Sequence, residues 1–207
     1  DFSVVVGDTI YFDAITTTGT NLADRKIIAY DTSNYTHWVV TDVDQSDTMV
    51  YRNHNPMTYL GVIGSTIYTI GTNYIGMGSN SYSNNVIWAI NTVNETAWQV
   101  PNFPCLYTGG TNCGPENNGL RRIVDDVIYI SLDDGSNGPE LWAYNTTNET
   151  AWMITDLPGN YAMGFDPGQY MNLLVGDTIY FSGNAKDGSF EQGHNLGVFS
   201  STHGHLW

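Results

Sequence analysis

Positive charge is scarce in this chain. Lys+Arg number 6 against Asp+Glu 21, a formal net charge of −15 over 207 residues. Repulsion from a phosphate backbone therefore argues against nucleic acid as a partner, and an anionic membrane surface is disfavoured for the same reason. Long apolar runs are missing as well, so nothing reaches the roughly eighteen residues that a membrane-spanning helix needs. Helical periodicity is absent: apolar residues alternate or run in fours, and 22 glycines interrupt the longer stretches. The chain also lacks a Gly-x-Ser-x-Gly elbow, a His-Glu-x-x-His pair and a phosphate-cradling Gly loop followed by Lys.

Cysteine is almost absent. Cys105 and Cys113 lie in a Gly-, Pro- and Thr-rich stretch with neither helical nor strand period. A disulfide closing this short loop is the expectation, stabilising by about 2 to 3 kcal/mol in the chain-entropy model. Free thiols and a metal site are the alternatives, the latter short of thiolates and histidines at ligand spacing. A disulfide implies an oxidising compartment, extracellular or at the cell surface.

What is present is a cassette repeated four times. A Tyr in an apolar run (Ile10-Tyr11-Phe12, Ile67-Tyr68-Thr69, Ile128-Tyr129-Ile130, Ile179-Tyr180-Phe181) is followed by a second apolar run ending at Tyr30, Ile90, Tyr144 and Phe199. A Trp then follows eight residues later each time, at Trp38, Trp98, Trp152 and Trp207. Ahead of each Tyr lies another apolar segment ending in Gly7-Asp8, Gly64-Ser65, Asp125-Asp126 or Gly176-Asp177, which reads as a hairpin. Residues after each Trp, such as Val39 to Asp42 and Met153 to Asp156, are expected to add a fourth strand. The expected fold is all-β: four repeats of about four antiparallel strands each, over 1–43, 58–102, 119–156 and 171–207 within a single repeat domain. That pattern is β-propeller-like, as a four-bladed ring or as part of a larger ring or array.

The cassette Gly-Asp-Thr-Ile-Tyr-Phe, with Glu140-Leu141-Trp142 and Asp156-Leu157-Pro158-Gly159, resembles the secreted or cell-surface bacterial and archaeal repeat proteins that carry Gly-Asp-x-Leu-Tyr-Phe followed by Glu-Leu-Trp. The resemblance covers nearly the whole chain and implies a propeller-like scaffold, not an activity. Where those repeats continue Asp-Gly-Thr after Leu-Trp, this chain has Asn145-Thr146-Thr147-Asn148.

Four Asn-x-Thr sequons occur, at Asn34, Asn94, Asn145 and Asn148, and three fall at the same place in successive cassettes. Asn and Thr suit a tight turn, and a glycan on each hairpin tip is the sharper reading. In the fourth copy that place holds His203-Gly204-His205. Those two histidines, with His194 nearby, form an incomplete transition-metal set.

Binding is expected on the variable segments, where Tyr74, Tyr82, Tyr107, Tyr161, Phe165 and Tyr170 sit among Gly, Ser and Asn. Flat aromatic rings beside Asn and Asp suit sugars, and packing under their own loops is the bland reading. Calcium is the cofactor the composition suggests, at Asp133, Asp134, Asn137 and Glu140, although Gly135 stands where a further oxygen ligand is wanted. Paired carboxylates for polysaccharide cleavage would have to come from Glu116, Glu140, Asp166 or Glu191. No catalytic residue is assigned.

Trp207 ends the sequence where the other copies continue. The fourth unit would then be completed by further residues, by the Phe2 to Val6 segment, or by a strand from a second chain, making the protein a homo-oligomer or polymer. The functional reading is an extracellular glycosylated structural or adhesive surface protein, possible subunit of a filament or array. A carbohydrate-binding module and a polysaccharide-cleaving enzyme are the alternatives.

Overall fold

A computed structural model describes residues 2–18, 22–42, 57–75, 82–104, 114–115, 119–135, 138–155, 166–168, 170–185 and 193–206. They form four antiparallel sheets, each an up-and-down meander of four consecutive strands and referred to below as a blade. Blade 1 comprises β1 (Ser3–Val6), β2 (Thr9–Thr18), β3 (Leu22–Asp31) and β4 (Thr36–Asp42). Blade 2 comprises β5 (Thr58–Ile63), β6 (Thr66–Ile75), β7 (Tyr82–Asn91) and β8 (Ala97–Gln99). In blade 3, β10 (Arg121–Val124), β11 (Val127–Asp133), β12 (Pro139–Asn145) and β13 (Thr150–Met153) are joined by β9 (Gly114–Pro115), which pairs with β11. Blade 4 is β14 (Asn172–Val175), β15 (Thr178–Ala185), β16 (Gly193–Ser200) and β17 (His205–Leu206). Among the described residues no helix is long and apolar enough to cross a membrane.

The four expected blades are present, with shifted edges. Trp38, Trp98 and Trp152 stand inside the fourth strand of their blades, not before it, each facing a small residue: Ala29 opposite Trp38, Ala89 opposite Trp98, Ala143 opposite Trp152; Trp207 lies outside the described residues. The central hairpins run past their apolar cores into segments read as loops, so that Tyr74 pairs with Ser83 and Tyr82 with Ile75. A ladder needs only backbone partners, and polar Asn and Ser can continue it once the apolar centre has set the register. β1 pairs with β2 within blade 1, and β17 pairs with β16 as the fourth strand of blade 4.

Successive side chains on a strand point to opposite faces, so every blade has a tyrosine face (Tyr11, Tyr68, Tyr129, Tyr180) and an isoleucine face (Ile10, Ile67, Ile128, Ile179). The chain divides into two compact units, Asp1–Val100 and Pro101–Trp207. In the first, Phe2, Tyr11, Ile27 and Ala29 on the tyrosine face of blade 1 pack with Met57 and with Ile67 and Ile90 on the isoleucine face of blade 2. In the second, Leu120, Tyr129, Leu141 and Ala143 of blade 3 pack in the same way with Ile179, Phe181 and Phe199 of blade 4. One rule thus builds both cores: the tyrosine face of a blade covers the isoleucine face of the next.

Candidate functional site

The most regular polar constellation is the pair of turns at one end of each blade. The first turn has positive φ at its first central residue, Gly7 (61°), Gly64 (58°), Asp125 (52°) and Gly176 (61°), as hairpins with two-residue connections favour. Its second residue anchors the other turn through its carbonyl. Asp8 O accepts from the backbone N and Oγ1 of Thr32 at 2.9 and 2.8 Å, and Ser65 O from those of Thr92 at 2.8 and 2.9 Å. Asp126 O does the same with Thr146, and Asp177 O with Ser201, at 2.9 Å throughout.

The sequons occupy this second turn. At its base Asp31 Oδ1 accepts from Ser33 N (2.7 Å), Asn91 Oδ1 from Val93 N (2.8 Å) and Asn145 Oδ1 from Thr147 N (2.8 Å). Asn34 Oδ1 then accepts from the Oγ1 of Thr36 (2.5 Å), Asn94 from Thr96 (2.7 Å) and Asn148 from Thr150 (2.6 Å), and each also accepts from the backbone N of that Thr. Between them Tyr35, Glu95 and Glu149 take φ of 63°, 58° and 56°. The Asn and Thr of each sequon thus have a structural use, and Asn34, Asn94 and Asn148 are exposed. Asn145 is half-buried and equivalent to Asp31 and Asn91, at the base of its turn. In blade 4, Ser200 Oγ lies 3.1 Å from His203 Nδ1, and Gly204 takes the left-handed position at 63°. The side chains of His194 and His205 lie outside the described residues.

Electrostatics follow these bonds. Hydrogen bonds from Ser33, and then from Asn34, hold the Asp31 carboxyl below its ordinary range. Bonds from Thr202 and Thr178, with the charge of His203 adding to them, do the same for Asp177. Two of the cassette tyrosines, Tyr11 and Tyr129, reach across to the next blade of their own unit. Tyr11 Oη donates to Thr92 O at 3.5 Å, and its phenol is pushed up by burial and by the Glu95 charge. Tyr129 meets Ser201 at the equivalent turn of blade 4, and burial raises its phenol as well.

Of the calcium set, Asp133 Oδ1 accepts from Gly135 N at 2.7 Å, and burial pushes its carboxyl up, with the neighbouring Asp134 charge adding to the shift. Glu140 is turned inside the blade: its Oε2 accepts from Thr155 Oγ1 at 2.5 Å, and Thr155 Oγ1 in turn accepts from Leu141 N. The structure therefore splits Glu140 from the loop carboxylates. Asn137 lies outside the described residues, and among those described no three His, Cys, Asp or Glu side chains gather around a common point. A carboxylate also ties Asp13 into the scaffold, accepting from Phe2 N (2.7 Å) and Met57 N (3.3 Å). Ser182 holds the corresponding place in blade 4, accepting from Tyr170 N and Met171 N. This capture of the entering chain by a polar side chain two positions after the cassette Tyr occurs at Asp13 and Ser182, whereas in blade 3 the corresponding Ser131 bonds Leu120 O through its backbone N at 2.9 Å.

Of the aromatic candidates, Tyr170 is 66% exposed. Tyr74 and Tyr82 stand on β6 and β7 with side chains outside the described set, and Tyr107, Tyr161 and Phe165 lie outside the described residues, as do Cys105, Cys113, Glu116 and Glu191.

No family model and no curated protein matches the chain. Among solved structures it is similar to TolB from Acinetobacter baumannii, at 13% identity over 96% of this chain and 40% of that one, with a TM-score of 0.44. A protein described as TolB from Agrobacterium tumefaciens is 12% identical over 97% of this chain and 60% of that one, TM-score 0.47. An oligogalacturonate lyase in complex with manganese is 12% identical over 97% of this chain and 49% of that one, TM-score 0.44. The chain thus spans between 40% and 60% of the length of these structures.

Proposed function

We propose that this chain is an extracellular or cell-surface glycoprotein with a structural or adhesive role and no turnover, assembling with copies of itself. The observation that carries the reading is where its polar chemistry is spent. Asp13, Asp31, Glu140 and Asp177 each accept hydrogen bonds that fix a blade or a turn, while acceptor asparagines face outward at equivalent turns of three blades. A residue repeated in every unit serves the scaffold, and the two-cysteine loop and the sequons agree with an oxidising compartment. Glycan binding is the second reading, favoured by the exposed ring of Tyr170. Cleavage of a polysaccharide is the least supported, because Glu140 is inside blade 3 and not open to a substrate.

Electron microscopy of the native material, with a parallel assay for release of reducing ends from plant and bacterial polysaccharides, tests the proposal. Ordered filaments or arrays without sugar release are expected. Dispersed particles, or turnover of any polysaccharide, contradict it.

A further inference from the structure

The chain crossing from blade 3 to blade 4 is pinned at three consecutive residues. Asp166 N donates to Pro139 O at 3.1 Å, Pro167 O accepts from Leu120 N at 2.7 Å, and Gly168 N donates to Ser182 O at 2.6 Å. Pro167 and Gly168 are buried, and a Cβ on Gly168 would stand 2.6 Å from Leu120 Cβ. Every partner belongs to the unit Pro101–Trp207.

Held in this way, Asp166 takes a φ of 47°. Left-handed backbone is costly for a residue with a Cβ, and a proline pushes the residue before it towards extended backbone. Tyr35, Glu95, Asn102, Asp125 and Glu149 also have positive φ, but among the described residues only Asp166 combines this with a following proline. Of the 7 prolines, Pro167 alone follows an Asp. A backbone conformation that local preference disfavours persists only where its surroundings over-determine it, and such places cluster at functional sites.

The residue pair has its own chemistry. An aspartyl side chain can close a five-membered ring on its own carbonyl carbon, and a prolyl nitrogen leaves more readily than an ordinary amide nitrogen. We propose that the Asp166–Pro167 bond is a self-cleavage site that divides the chain between blades 3 and 4. A carboxyl oxygen of Asp166 attacks the Asp166 carbonyl carbon, the C–N bond breaks, and Pro167 N departs as a secondary amine with the carboxyl proton. Water then opens the cyclic anhydride and leaves two carboxyl groups on Asp166, so one peptide bond and one water are consumed. Asp166 is half-buried, within reach of water. As the C–N bond lengthens, the crowding between the proline ring and Asp166 is relieved, so the held conformation lowers the barrier.

The step uses the carboxyl with its proton on, and acid favours it. Among the elements bonded to the segment, the β11–β12 hairpin carries Asp133, Asp134 and Glu140, Arg121 follows Leu120, and the residues on either side of Ser182 carry no charge. The cut pieces stay together, because Tyr129 lies 5.4 Å from Phe199 between ring centroids, Arg122 Nη2 donates to Asn172 O at 2.5 Å, and one core spans both blades. The inference is independent of the assembling reading above.

Incubation of the purified full chain from about pH 3 to about 7, with protease inhibitors present, tests it by intact mass and N-terminal sequencing. Rates are compared wherever circular dichroism shows the chain folded, against the same chain unfolded in guanidinium chloride at the same pH. One fragment ending at Asp166 and one beginning at Pro167 are expected, forming at least about fivefold faster in the folded chain and separating only on denaturation. Asp166→Asn keeps a residue that tolerates left-handed backbone and removes the carboxyl; Pro167→Ala keeps the carboxyl and removes the prolyl nitrogen. Each is expected to slow scission at least about tenfold. A folded chain that stays intact, or is cut no faster than the unfolded one, overturns the proposal. Scission at the wild-type rate in either variant also overturns it.

Discussion

The ring of Tyr129 is tilted by 51° against that of Phe199 and joins the tyrosine face of one blade to the isoleucine face of the next. Removing it should open a cavity that neighbouring strands cannot fill. Tyr129→Ala is expected to cost about 3 to 5 kcal/mol. Tyr180→Ala, at the equivalent but half-buried position, should cost under about 1.5 kcal/mol. Chemical denaturation of both variants reads the difference, and equal losses would mean that Tyr180 is packed as tightly as Tyr129.

Glycine at the first turn is there for its backbone. A Cβ at Gly7, Gly64 or Gly176 would meet nothing within 4 Å, yet each residue has a φ near 60°. Gly→Ala at any of them is expected to cost about 1 kcal/mol, the strain of the left-handed region alone. Asp125 carries φ of 52° at the same position of blade 3. Asp125→Gly should be neutral or raise Tm by a few degrees, and a fall would show that the Asp side chain does more than turn the chain.

In the sequon turns, oxygen holds structure and nitrogen is the glycan acceptor. Asn94→Asp keeps the oxygen that bonds Thr96, so it should abolish modification at that position with little loss of stability. Thr96→Val removes a hydrogen bond as well and should cost about 1 kcal/mol. Glycopeptide mass spectrometry of native protein is expected to find Asn94 and Asn148 occupied. Asn34, whose Nδ2 donates to Asp31 Oδ2 at 3.0 Å, should be occupied less. Asn145 should be bare, because it sits half-buried at the base of its turn.

The pH response has two signs. Asp31 and Asp177 have folded-state carboxyl pKa values held low, so the unfolded chain binds protons more readily. Their stabilisation is present above the ordinary carboxylate range and is lost as pH falls below about 4. Asp133 is raised by burial, so its charge works against folding at neutral pH. Asp133→Asn, which keeps the acceptor for Gly135 N, should raise Tm at pH 7, with the gain vanishing once the pH drops below about 4. Calorimetry over pH 3 to about 8 follows both signs.

The repeat made the blades legible because its markers are backbone and packing requirements: a two-residue turn, a Tyr between apolar neighbours, a Trp opposite a small residue. The same spacing hid the strand edges, since pairing extends through polar residues such as Thr72 and Asn73 opposite Asn85 and Asn84, which carry no apolar signal. The surroundings of Glu140 are hidden for a related reason. Sequence puts it beside Asp133 and Asp134, whereas the hairpin puts Pro139 opposite Asp133 and turns Glu140 inward to Thr155. The sequons were visible as motifs, but their hydrogen-bonding to their own Thr needed coordinates.

Cryo-electron microscopy of the assembled form tests the central claim most directly. The account predicts ordered copies of the chain with glycan density on the exposed turns at Asn34, Asn94 and Asn148. Dispersed single copies, or an assembled form whose turns at Asn34, Asn94 and Asn148 carry no glycan, would contradict it.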